Sequence, residues 1–88
     1  MTKKQNKPLF VMNEYLLQKF LNVLTRQKEL NETLNLLKLL ANSYGFLFSE
    51  RGNNNFLSIT NGMPLINFYI DDDELIKYSI LDDVLIVK

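Results

Sequence analysis

"NETLNLLKLLANSYGFLFSERGNNNFLSIT", residues 31–60, changes its period halfway. From Leu30, just before it, apolar residues recur at Leu34, Leu37, Ala41 and Tyr44, alternating steps of four and three. Leu36 and Leu40 widen that seam, and the spacing predicts an amphipathic helix. Asn31 is placed to cap its start. Gly45 is able to take the left-handed conformation that closes a helix. Beyond Gly45 the period falls from about 3.6 to 2. "FLFSE" then reads as a strand, "RGNNN" as a turn and "FLSIT" as the returning strand.

Working outward toward the N-terminus, "NEYLLQKFLNVLTRQ" predicts another helix. Asn13 caps it, and Glu14 suits the positive end of the helix dipole. Leu16, Phe20 and Leu24 repeat every four residues, with Leu17, Leu21 and Val23 beside them. "TRQKE" between the helices is polar but holds no Gly or Pro, so an antiparallel helical hairpin is expected and one helix over 13–44 is the alternative. Residues 1–8, basic and ending in Pro8, read as a tail.

Toward the C-terminus, "NGMP" marks a tight turn and "LINFYI" a strand, with Ile66, Phe68 and Ile70 on one face and Leu65, Asn67 and Tyr69 on the other. "LIKYSI" alternates again, and "VLIVK" is apolar on both faces. Residues 72–81 have a helical alternative, since Asp-Asp-Glu suits a helix N-terminus, but three isoleucines and the alternation favour a strand. The expected fold is α+β: an N-terminal helical hairpin followed by a four- to five-stranded antiparallel β-meander, one domain over 9–88.

An 88-residue chain that is 47% apolar, 23% charged and of zero net charge has the balance of a folded domain. With no Cys there is no disulfide or thiolate chemistry, and with no His the commonest base and metal ligand is missing. No GxGxxG or P-loop occurs, so neither a cofactor nor an enzymatic activity is expected. No signal peptide and no apolar run long enough to span a membrane is present, which makes a cytoplasmic protein the default. The richness in Asn, Lys, Ile, Leu and Phe suggests an AT-rich genome, such as that of a low-GC bacterium or a phage.

The neutrality is a cancellation. Residues 1–60 carry eight Lys and Arg against four Glu, and residues 61–88 carry two Lys against six carboxylates. Those six crowd "IDDDELIKYSILDD". An EF-hand needs oxygen ligands at positions 1, 3 and 5 and Gly at 6. Counted from Asp71, positions 5 and 6 are Leu75 and Ile76, so the motif fails and no metal is expected. Asp is a preferred turn residue because its carboxylate bonds nearby backbone amides, and turns are the first role of the cluster. A binding role is the second. Asp71, Asp72, Asp73, Glu74, Asp82 and Asp83, with Tyr69 and Leu65, are the expected partner-binding residues. A basic, nucleic-acid-binding protein would suit the acids. The two acidic turns are expected at opposite ends of the sheet.

Residues 33–60 resemble the recognition helix, glycine and wing hairpin of winged-helix regulators, with helix 33–44, Gly45, strand 46–50, wing turn 51–55 and strand 56–60. The resemblance implies a DNA-binding regulator. Its residues depart from the pattern, since Leu36, Leu37, Leu39 and Leu40 occupy the helix with Lys38 as its lone cation, and the wing offers Arg51 alone. Phosphate binding wants several cations on one face. "FLNVLTRQKELNETLNLLKLLANSYGFLFSE" is also similar to the Nif11-like leader domain in its short helices and terminal Gly-Phe, though it is several residues shorter and lacks a Gly-Gly cleavage site. No functional residue transfers from either family.

The broad leucine band of the second helix and the doubly apolar strands exceed what one sheet contact needs. Phe56, Leu65, Tyr69, Leu85 and Val87 are candidates for exposed apolar surface, which marks interfaces, including a homodimer. The expected function is therefore a small non-enzymatic protein-binding regulator, adaptor or inhibitor acting by protein–protein contact, encoded by a phage or other mobile element. A degenerate winged-helix-like DNA-binding regulator is the alternative, although direct nucleic-acid binding is not favoured.

Overall fold

The computed structural model of the protein describes residues 10–88, and the basic tail expected over 1–8 lies outside the described residues. The chain runs β1 (Phe10–Asn13), α1 (Glu14–Thr25), α2 (Leu30–Ser43), β2 (Leu47–Arg51), β3 (Asn54–Ser58), β4 (Pro64–Ile70), β5 (Ile76–Ile80) and β6 (Val84–Val87). Strands β2 to β5 form a four-stranded antiparallel meander in sequence order. The fold is α+β, with the helical hairpin leading into the meander.

Asn13 caps α1, its Oδ1 accepting the Tyr15 N–H at 2.7 Å. The cap of α2 is Glu29 rather than Asn31. The longer Glu29 side chain reaches the Glu32 N–H at 2.9 Å, and its negative charge suits the helix start. Thr33 returns both its N–H and its hydroxyl to the Glu29 carbonyl at 3.0 Å. The far end closes as a Schellman turn. The Phe46 N–H bonds the Ala41 carbonyl at 2.9 Å, and the Gly45 N–H bonds that of Asn42 at 3.1 Å. Gly45 sits at φ +80°, the conformation that motif requires.

Two helices form instead of one because the linker is used elsewhere. The Gln27 carboxamide donates to the Ile76 carbonyl at 3.1 Å and accepts the Ile76 N–H at 2.9 Å. It stands in for a neighbouring strand at the outer edge of β5 and fixes the hairpin bend against the sheet.

The β2–β3 hairpin closes through Gly52 and Asn53 alone, since Arg51 and Asn54 already pair. Gly52 is the first loop residue and has φ +60°, as a tight two-residue turn with glycine in that place demands. The turn is shorter than "RGNNN" suggests. In β4 the register slips: Leu57 faces Ile66 while Ser58 faces Pro64, leaving Leu65 as the extra residue of a bulge. Pro64, which has no N–H to give, opens the strand beside that bulge. Residues 76–80 are a strand, pairing Ile66 with Ile80 and Ile70 with Ile76.

The final strand leaves the meander. β6 pairs in parallel with β1, Phe10 beside Val84 and Met12 beside Ile86. β1 lacks the length for its strand character to show in the sequence. Met12 is buried, and Phe10, Val84 and Ile86 pack on the core, with the Phe10 ring edge-on to Phe46 at 6.1 Å. The core joins both helices and both sheets through Met12, Phe20, Leu37, Leu57, Ile66 and Phe68, all fully buried. Each such side chain contributes about 1.5–3 kcal/mol.

Candidate interaction surface

The two acidic turns form first as turns. The Asp71 carboxylate accepts the Asp73 N–H at 2.9 Å and the Leu75 N–H at 3.0 Å, while the Asp71 N–H bonds the Leu75 carbonyl at 2.9 Å. This local lattice holds Glu74 at φ 61° and links β4 to β5. The Leu75 amide bond, with help from the Asp73 amide and Lys77, holds the Asp71 carboxyl below its usual value. Lys77 Nζ stands 3.7 Å from Asp71 Oδ2. Asp72, Asp73 and Glu74 project into solvent.

Asp82 and Asp83 are also exposed, in the turn before β6, and the Asp83 carbonyl accepts the Phe10 N–H at 3.1 Å. The five residues of β5 separate the two turns by about 17 Å. The six acids therefore make two separate tips. Among the described residues, no three carboxylates converge on a point that a metal ion could occupy.

Leu65 is corrected by the structure. It is 0% exposed and offers no surface to a partner, because the bulge turns it and Ile66 inward together. Tyr69 is 38% exposed, on the sheet face that also carries Asn67, Lys77 and Ser79. That face is largely polar, as an antiparallel sheet covered on one side should be. Phe56 and Val87 are half-buried, and Leu85 is exposed.

The apolar surplus lies mainly on the helices. The buried stripe of α2 is Thr33, Leu37 and Ala41. A second stripe, Leu36, Leu39, Leu40 and Ser43, follows the same helical spacing toward the other side. Leu36 is 47% exposed and Leu39 64%. Facing it, α1 presents Lys19, Asn22 and Val23, and Arg26 follows as its C-cap, again spaced by three and four. Two shallow depressions run between these stripes. One of about 600 Å³ is lined by Asn22, Val23, Arg26, Lys28, Thr33 and Leu36, with Glu32. The other, of about 510 Å³, is lined by Val23, Leu36, Leu39, Leu40, Lys19 and Tyr44 among others. Sharing Asn22, Val23 and Leu36, they form one groove along the antiparallel hairpin.

One wall of this groove is leucine and the other is cationic. Lys19 Nζ donates to the Tyr15 hydroxyl at 3.4 Å and lies 4.4 Å from the ring centroid. That bond and the electrostatic pull of the Tyr15 and Tyr44 hydroxyl groups hold the ammonium above the usual lysine value, so it is charged at neutral pH. Among the described residues the lone salt bridge is Lys77 with Asp71, so Lys19, Arg26 and Lys28 enter none. Sequence periodicity exposed the width of the leucine band. It did not single out Lys19, Arg26 and Lys28, whose shared wall exists only once the two helices fold side by side.

No helix among the described residues is long and apolar enough to cross a membrane. Helix, Gly45 and hairpin do follow one another as in the winged-helix pattern, but that likeness carries no functional residue here. No protein-family model, no curated protein and no solved structure matches this chain.

Proposed function

We propose that this chain is a small non-enzymatic regulator or adaptor that works by binding another protein. One observation carries the reading: α2 turns a second leucine stripe, Leu36 and Leu39, to solvent while its first stripe already fills the core. Contiguous exposed apolar surface in a small domain marks a contact site. The acidic tip at Asp72, Asp73 and Glu74, beside exposed Tyr69, Ile70 and Leu75, is a second and smaller contact candidate. A cytoplasmic location and a phage or mobile-element origin fit this reading.

The test is affinity capture of the tagged chain from its own host, paired with the Leu39→Asp variant. A stoichiometric protein recovered by the parent chain and lost with the variant supports the reading. Recovery of nothing that depends on Leu39, together with a mobility shift of duplex DNA at low salt, would replace it with the DNA-binding alternative.

A further inference from the structure

Resting on that reading, we propose that the α1–α2 groove receives an amphipathic α-helix with one acidic edge, docked as a third helix beside the hairpin. The shape argues for a helix. The groove follows two antiparallel helices, and Leu36, Leu39, Leu40 and Ser43 repeat along it at one-turn intervals over about 10 Å. A helix carrying apolar residues at three- and four-residue spacing interlocks with such a row.

The charges select the edge. Lys19 and Arg26 stand two turns apart on the α1 wall, and Lys28 follows in the linker. Against these three cations the lining holds one carboxylate, Glu32. Residues 1–9 contain no acidic side chain that could neutralise them. A docked helix with Glu or Asp spaced seven apart along the edge over α1 meets Lys19 and Arg26 while its apolar row meets α2.

A second copy of this chain fits the groove badly. Face-to-face pairing sets the cationic wall either against its own twin or against the partner's leucines. The first repels, and the second desolvates unpaired charges.

The test uses two fluorescein-labelled synthetic peptides of about four helical turns with the same leucine face, one edged with glutamate and one with lysine. The full chain is titrated against each and followed by anisotropy. The glutamate peptide should bind about tenfold tighter, from two ion pairs gained against two repulsions. The preference should invert with K19E/R26E, and Leu39→Asp should abolish binding of both peptides. Equal binding of the two peptides, saturable binding of neither, or a preference unmoved by K19E/R26E would overturn the proposal. So would sedimentation as a dimer that Leu39→Asp dissolves. A host partner lost with Leu39→Asp but indifferent to K19E/R26E would overturn the acidic helix and leave the protein-binding function standing.

Discussion

The inner face of α2 carries Thr33, Leu37 and Ala41, and its outer face carries Leu36 and Leu39, with half-buried Leu40 at the border between them. In composition the outer face is the more apolar of the two. Leu37 nevertheless packs into the core and is fully buried, whereas Leu39 meets solvent across the groove from Lys19. Apolar residues on a helix thus report two different things, a core contact and an unfilled one. The difference between them is the basis for the functional proposal.

The sharpest way to break that comparison is to truncate both faces. Leu37→Ala should cost about 2–5 kcal/mol, because it removes buried contacts and leaves a cavity. Leu39→Ala should change stability by less than about 0.5 kcal/mol. Urea denaturation of both variants checks the pair, and a large loss from Leu39→Ala would mean that the outer stripe is structural.

A smaller effect is expected at the linker that sets the hairpin. Gln27→Ala removes both bonds to Ile76 and should cost about 1–3 kcal/mol. Hydrogen exchange at Ile76 should speed up while that in α2 stays slow. Smaller again is Gly45→Ala. A Cβ there meets no atom within 4 Å, so the cost is only the left-handed backbone, about 1 kcal/mol, read as a shift in thermal midpoint.

The smallest effect belongs to the acidic tip and is separated by pH. Asp71 has a depressed carboxyl in the folded chain, so its contribution to stability is present above its ordinary value of 3.8. It is lost as pH falls through the lower folded value. The stability gap between the parent chain and Asp71→Ala should therefore be open at neutral pH and narrow below about pH 4. A gap independent of pH would show that the carboxylate charge plays no part in the turn. Asp72→Asn and Asp73→Asn leave the backbone bonds of the turn in place and should not move the thermal midpoint, so any loss of partner binding they cause would be a direct contact effect.

By itself the sequence determined the element types and most of their order. Helical spacing up to Tyr44, the stop at Gly45 and the alternation beyond it are local properties of consecutive residues, and local hydrogen bonding enforces them. The same holds for the turn role of Asp71 and for the cap at Asn13. Tertiary structure decided the rest. The bulge that buries Leu65 depends on what β3 offers opposite it. The pairing of β1 with β6 joins residues more than seventy positions apart, which no window of sequence contains. The bend between the helices is held by Gln27 against a strand 49 residues away. The cationic wall facing the leucines likewise exists only because that bend folds α1 back along α2, and side chains far apart in the chain become neighbours only through packing.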